Sequence, residues 1–211
     1  MNAKDISDIF NELDTSAYNE TLLREKAQLL FLLIESSLLN AEEKEAALTQ
    51  LRIRSRKAAK QDFFSFNYNS IELNSLLEEL CLAADFYLLE TGKRICLYPQ
   101  EENAVVSLNL RAFENCFYRL IRELFEKDNT VSVYVKSSEH FCTLILRAES
   151  RAKLCFKEDS FNVFSLYENG QRQICLKIKK CACPVSSPSR EDFSLLLGDR
   201  MSPLHLWLCD I

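Results

Sequence analysis

The sequence contains very little glycine: three residues among 211, namely Gly92, Gly170 and Gly198. Average proteins contain roughly 7% glycine. Loops that cradle phosphate groups use glycine where the backbone must approach an anion or adopt a positive φ. The shortage therefore argues against a glycine-rich nucleotide-binding loop.

Features of metal, membrane and secreted proteins are also missing. Cys181 and Cys183 have ligand-like spacing, but no CxxC pair or nearby histidine completes a tetrahedral zinc site. The longest apolar run, Leu29 to Ile34, is too short to span a bilayer, and the N-terminal stretch MNAKDISDIFNELD has no apolar core of signal length. These absences predict a cytoplasmic protein without a metal site or a membrane segment.

Charge and cysteine content exclude further classes. The 26 basic and 31 acidic residues give a net charge of −5, so no global field recruits nucleic acid or an anionic membrane. The nine cysteines are odd in number and scattered through apolar runs, which is typical of reduced core thiols in a cytosolic protein.

The N-terminal part predicts an antiparallel helical hairpin over residues 17–60. Apolar residues recur at helical spacing from Leu22 to Ile34, Asn40 breaks this run, and the following stretch begins acidic and ends basic, which suits a helix dipole. Because a two-helix hairpin covers its apolar stripe only partly, we predict a homodimer with a four-helix bundle. The alternative is that the hairpin packs on the chain's own C-terminal domain.

The predicted domains are the hairpin, residues 1–66, and a second domain, residues 67–211. For the second domain the sequence predicts a mixed sheet with helices. A helix capped by Ser70 runs to Gly92, and another covers residues 110–127. Strands are predicted in RICLYP, AVVSLNL, TVSVYVKS and HFCTLILRAE. In the tail, GQRQICLKIKKCA predicts a helix, whereas DFSLLLGD and PLHLWLCDI predict a pair of strands. The predicted class is α+β, a two-layer sandwich with three helices on one face of the sheet.

This order of elements resembles that of sensor histidine kinases, in which a dimerisation and phosphoacceptor hairpin precedes a GHKL-type ATPase domain. SIELNSLLEEL is similar to the first helix of that domain. The run from VVSLNLRAF through LIREL to TVSVYV is similar to the family's approach strand, N-box helix and following strand. The resemblance covers residues 17–211 and implies a helical hairpin followed by a two-layer α/β sandwich of the histidine kinase ATPase type. The architecture is also similar to that of the sporulation phosphorelay phosphotransferase.

The resemblance implies an altered nucleotide site on the N-box helix. In the family this helix presents asparagines that help to hold magnesium and the phosphates of ATP. Arg119 and Glu123 stand at the positions of the first and second asparagine, on the same helix face as Asn115. Glutamate offers an oxygen ligand, but arginine cannot ligate a cation. At a spacing of four residues, Arg119 and Glu123 can instead pair with each other.

Other family motifs are altered as well. Ala148 stands at the aspartate position of the DxGxG box that recognises adenine, and Ser150 and Ala152 stand at its glycines. Gly170, in ENGQRQICLKI, is the one glycine of the second glycine box, which opens the last helix in the family. Residues 17–60 contain no histidine, so the phosphoacceptor of the family is missing.

We therefore expect a catalytically degenerate, kinase-like signalling protein that acts as a dimeric binding or scaffold module for a response regulator. No catalytic residue, metal or cofactor is expected, and the degenerate nucleotide-site positions are Asn115, Arg119, Glu123 and Gly170. Two alternatives stay open. In one, ATP binds with magnesium held by Glu123, and the protein phosphorylates a substrate in trans. In the other, the protein binds a sigma factor, as anti-sigma kinases of this fold do.

Overall fold

The computed structural model describes residues 20–59, 68–100, 104–126, 128–148, 161–168, 171–182, 197–200 and 202–211. The chain divides into two units, Met1–Phe64 with Asp199–Ser202 and Ser65–Gly198 with Pro203–Ile211. The predicted boundary at residue 66 falls within residues 60–67, which lie outside the described residues.

The first unit contains the predicted helical hairpin, formed by helices α1 (Glu20–Glu35) and α2 (Ala41–Ala59). Asn40 starts α2, because its side-chain oxygen accepts a hydrogen bond of 2.9 Å from the Glu43 N–H, and the Glu43 carboxylate accepts one of 3.1 Å from the Asn40 N–H. The helices bury a shared apolar stripe made of Ala27, Leu30, Phe31, Ile34, Leu48 and Leu51.

The second unit is the predicted α+β sandwich. Its elements in chain order are β1 (Asn69–Glu72), α3 (Leu73–Leu88), β2 (Arg94–Tyr98), β3 (Val105–Leu108), α4 (Leu110–Phe125), β4 (Thr130–Ser137), β5 (Phe141–Ala148), β6 (Asn162–Glu168), β7 (Gln171–Lys179) and α5 (Pro203–Leu208). Five strands form a sheet in the order β2-β4-β5-β7-β6, in which β2 is parallel to β4 and the other pairs are antiparallel. Strands β1 and β3 form a separate antiparallel pair.

The core lies between the five-stranded sheet and the helices. Helix α3 packs on β2, α4 packs on β4, and α5 packs against both helices. Successive residues of a strand point to opposite faces, so the buried set of alternating residues marks the helix-bearing face of the sheet. That set includes Val131, Val133, Cys142, Leu144, Leu146, Ile174, Leu176 and Ile178.

The helix predicted in GQRQICLKIKKCA is wrong, because Gln171–Lys179 is the strand β7. This strand lies between β5 and β6 and pairs with both, so the two neighbours satisfy its backbone groups on either side. Glu168 pairs with Gln171, which leaves Asn169 and Gly170 between the paired strands. An Asn-Gly pair between two apolar stretches is the sequence signal for a hairpin, and it outweighs the helical pattern here.

The terminal strand pair is also wrong, because Pro203–Leu208 is the helix α5. Proline suits the first turn of a helix, where its missing N–H leaves no internal bond unmade. Most of the predicted partner strand, residues 192–199, lies outside the described residues. Helix α5 thus replaces the segment after Gly170 as the third helix on the sandwich.

The predicted ends of α3 also need correction. Ser70 lies within β1 rather than at a helix cap, because it pairs with Ser107 of β3 across the two-stranded sheet. The N-cap residue of α3 is Glu72. The helix ends at Leu88, and Gly92, with φ of 70°, lies in the turn that follows.

Candidate functional site

Helix α4, which carries the predicted site residues Asn115, Arg119 and Glu123, is fixed in place by its N-cap and by its apolar face. The Asn109 side chain accepts a hydrogen bond of 2.9 Å from the Ala112 N–H, which defines the first turn. Side chains that are 2% exposed or less fill the space beneath the helix: Phe113, Cys116, Phe117, Leu120, Ile121 and Leu124. Tyr118 is also buried and donates a hydrogen bond of 3.0 Å to the Leu80 carbonyl of α3.

The three predicted site residues on α4 lie on one helix face, at intervals of four residues. Arg119 is buried, and its Nε lies 3.9 Å from Oε1 of the half-buried Glu123. This separation is within ion-pair distance but is longer than a hydrogen bond. The Glu123 carboxylate therefore lies beside a permanent positive charge, which disfavours the approach of a divalent cation.

Asn115, the third of these residues, is engaged by the C-terminal helix. The Trp207 indole Nε1 donates a hydrogen bond of 2.6 Å to Asn115 Oδ1. Arg122 lies seven residues, or about two helical turns, after Asn115. Its Nη1 donates a hydrogen bond of 2.8 Å to the Trp207 carbonyl and forms an ion pair with Asp210. Two polar links thus attach α5 along the polar face of α4.

The contacts of α5 were not predicted from the sequence. Trp207 and His205 lie in PLHLWLCDI, for which the sequence predicts a strand, and Arg122 is not among the predicted site residues. The sequence signal for Arg122 is its spacing on α4. It follows Asn115 by seven residues and therefore lies on the same side of the helix.

Neither histidine lies in the described part of the hairpin. His205, on α5, has its Nδ1 3.3 Å from the Tyr87 hydroxyl of α3, and the two rings meet edge to face. His140 is exposed in the turn between β4 and β5, with its Nε2 3.9 Å from a Glu139 carboxylate oxygen. His205 thus belongs to the helix packing, and His140 lies at the surface.

Titratable groups between α3 and α4 are held in their neutral forms. Burial, with a smaller contribution from Asp85, raises the pKa of the Cys81 thiol to about 12. Burial also raises the pKa of the Tyr118 hydroxyl well above its usual value. A thiol with such a pKa forms almost no thiolate at neutral pH, so Cys81 packs as an apolar side chain and does not act as a nucleophile.

The altered glycine motifs fall at the edge of the described residues. Ala148, which the sequence resemblance places at the aspartate of the DxGxG box, is the buried last residue of β5. Ser150, Ala152 and Gly170 lie outside the described residues. The segment after Gly170 is the strand β7, so the predicted helix does not provide a helix N-terminus there.

The described residues contain neither a metal-binding cluster nor a membrane-spanning helix. No group of three or more histidine, cysteine or acidic side chains in these parts of the chain could hold a metal ion. None of the described helices combines the length and the apolar character that crossing a membrane requires.

The architecture is similar to that of solved histidine kinases. Acinetobacter baumannii histidine kinase AdeS aligns with a TM-score of 0.50 and 11% identity, over 72% of this chain and 92% of that chain. Histidine kinase ThkA, solved in complex with response regulator protein TrrA, aligns with a TM-score of 0.52 and 10% identity, over 85% of this chain and 62% of that chain. The fold is that of histidine kinases. At such identities the likeness shows the fold alone, and the sequence matches no family model and no curated protein.

The link between Asn115 and Trp207 can be tested through fluorescence, because Trp207 is the only tryptophan of the chain. Asn115→Ala removes the acceptor of a buried indole N–H, so we expect the free energy of unfolding to fall by about 1–2 kcal/mol. We also expect the emission of the native protein to shift to the red as Trp207 gains exposure. Urea unfolding followed by fluorescence measures both effects.

The matched control is Asn129→Ala, which removes an exposed asparagine outside α4. It should leave the emission maximum unchanged and change the free energy of unfolding by less than about 0.5 kcal/mol. Equal emission maxima for Asn115→Ala and the unmodified protein would show that α5 is not held by this bond.

Proposed function

We propose that this protein is a catalytically degenerate, histidine kinase-like signalling protein that acts as a dimeric binding or scaffold module, with a response regulator as its partner. The observation that carries the proposal is the attachment of α5 along the polar face of α4 through Trp207, Asn115 and Arg122. By the sequence resemblance, the polar face of α4 corresponds to the face of the N-box helix with which sensor histidine kinases hold magnesium and phosphate. Here Asn115 and Arg122 on that face bind α5 of the same chain.

Local charge and geometry support the loss of nucleotide binding. The Asn115 oxygen, which is the only neutral amide oxygen on this face of the helix among the described residues, already accepts the indole N–H at 2.6 Å. Arg119 places a guanidinium where a metal-binding site needs an oxygen, and Glu123 faces that guanidinium. A magnesium ion would have to displace both contacts, so we expect neither ATP nor magnesium as a cofactor.

Exposed apolar residues on α1 support a dimer. Leu29 and Leu32 lie three residues apart on one side of the helix and are 57% and 62% exposed. Their side of α1 is opposite to the buried stripe that contains Leu30 and Ile34. A second copy of the hairpin would cover these leucines in a four-helix bundle, which is the arrangement that the sequence predicts.

A response regulator is the partner class that fits such a hairpin. ThkA, whose fold this chain shares, is a histidine kinase solved in complex with a response regulator protein. On this chain, α2 carries a basic C-terminal half that includes Arg52, Arg54 and Arg56, suited to an acidic protein surface. Because no histidine occurs in residues 17–60, the expected outcome of docking is binding without phosphotransfer.

The loss of nucleotide binding is tested by titrating the protein with a fluorescent ATP analogue and magnesium. We expect no saturable binding in the micromolar range, because the polar groups of α4 are already bound within the chain. The emission of Trp207 gives a second readout, since a ligand on this face must disturb the Trp207–Asn115 bond. Saturable binding that Glu123→Ala abolishes, while Glu126→Ala at the exposed end of α4 does not, would establish the alternative of an ATP-binding kinase.

The dimer is tested by sedimentation equilibrium of the full chain. Leu29→Asp combined with Leu32→Asp should convert a dimer into a monomer, because charged side chains are expensive to bury in a helical bundle. The control is Leu38→Asp in the hairpin turn, where the leucine is 98% exposed. A monomeric unmodified protein, or a dimer that persists in the double variant, contradicts the proposed bundle.

The partner class is tested with purified receiver domains encoded in the same genome, both unmodified and activated with beryllofluoride. We expect one or a few of them to bind in calorimetry, with affinity that falls as salt rises. No phosphoryl group should pass from a phosphorylated receiver to this chain. Binding of a purified sigma factor in the absence of any receiver interaction would favour the anti-sigma alternative.

A further inference from the structure

The five-stranded sheet has a second face, which is turned away from α3 and α4. Residues paired directly across neighbouring strands share a face, so the strand register defines the rows of this face. The central row is Tyr98, Tyr134, Ile145, Cys175 and Phe164. The next row toward the β4–β5 turn is Lys136, Thr143, Lys177 and Asn162, and beyond it Phe141 pairs with Lys179.

Charge on this outer face has one sign among the described side chains. Five basic residues stand on it, and all except the half-buried Arg147 are exposed: Arg94, Lys136, Arg147, Lys177 and Lys179. The acidic Glu168 occupies a register position at the far end of β6. Within the described part of the chain, none of the five has an ion-pair partner. A chain with a net charge of −5 therefore presents a basic surface here.

Aromatic rings on this face are already stacked within the sheet. The Tyr98 and Tyr134 rings are parallel, with centroids 4.6 Å apart, and the Arg147 guanidinium lies 4.8 Å from the Tyr134 ring. The Lys177 ammonium lies 4.1 Å from the centroid of the Phe141 ring. Sheet proteins that bind single-stranded nucleic acid stack bases on aromatic rings, so they need ring faces that are open to the bases. These contacts favour an anionic partner that binds the cations rather than one that stacks on the rings.

We infer that the outer face of the five-stranded sheet is a docking surface for a carboxylate-rich protein segment, held by Lys136, Lys177, Lys179 and Arg147. The aromatic rings hold the cations of Arg147 and Lys177 in place, which lowers the entropy lost when a carboxylate binds them. This surface belongs to the second unit alone, so the inference stands whether or not the hairpin forms a dimer or binds a receiver domain.

The test is fluorescence anisotropy with a labelled ten-residue glutamate peptide as the probe, applied to the full chain at low salt. The unmodified protein should bind the peptide, and the affinity should fall as salt rises. Lys136→Gln combined with Lys177→Gln should weaken binding about tenfold, because two exposed cations that pair with the peptide carboxylates are removed. The control is Lys26→Gln combined with Lys44→Gln on the hairpin, which changes the net charge equally and should bind like the unmodified protein.

A labelled ten-residue uridine oligonucleotide serves as the competing probe. Weaker binding of the oligonucleotide than of the peptide supports a protein partner. Tighter binding of the oligonucleotide, dependent on the same two lysines, overturns the inference in favour of a nucleic acid. Equal peptide affinities for the two double variants overturn it as well, because binding would then follow total charge and not this face. Circular dichroism establishes that both variants are folded.

Discussion

The packing of α4 against the sheet is the constraint on which the rest of the second unit depends. Phe113, Phe117, Leu120 and Ile121 are completely buried, so the helix has one rotational setting about its own axis. Any rotation would expose these side chains at a cost of about 1.5–3 kcal/mol each. Because the apolar face is fixed, the side that carries Asn115, Arg119 and Glu123 must face away from the sheet. The direction of the polar groups is thus a consequence of the core.

That polar side needs partners, and α5 supplies two of them. A half-buried amide oxygen or guanidinium that lost its water without a new bond would destabilise the fold by about 1–3 kcal/mol. The Trp207 indole satisfies Asn115, and the Trp207 carbonyl together with Asp210 satisfies Arg122. On the other side, His205 of the same helix contacts Tyr87 of α3. A helix of six residues would not be stable alone, so its contacts with both longer helices determine that it forms.

Sequence patterns predicted the parts of the fold that are determined locally. The amphipathic spacing in α4 and the leucine spacing in the hairpin carry a helical period, and the fold class follows from the order of elements. The two wrong elements depend on the neighbours of each segment. The apolar run of β7 fits helix and strand alike, and it forms a strand because β5 and β6 offer partners on both sides. PLHLWL is short and apolar throughout, and its helical state depends on contacts with residues about 85–120 positions earlier.

The candidate site on α4 was likewise predictable only where it depends on local spacing. The sequence identified the face of α4 and the ion pair between Arg119 and Glu123, because both follow from a spacing of four residues. It did not identify the Trp207–Asn115 bond, since a pairing across 92 positions has no local signal. Whether any nucleotide can bind therefore depends on contacts that only the tertiary structure reveals.

Net charge alone gives an incomplete view of the partners of this protein. The value of −5 averages over a sheet whose outer face holds lysines and arginines and over helices that are rich in glutamate. At physiological ionic strength the field of an exposed charge fades over about 8 Å, so a partner responds to the face it meets and hardly to the far side of the molecule. Alternation along β4, β5 and β7 is what separates the two kinds of side chain, because the same strands place apolar residues on α3 and α4. A core built in this way turns the exposed Lys136, Lys177 and Lys179 to the other face, beside the buried Ile145 and Cys175, and so concentrates positive charge there.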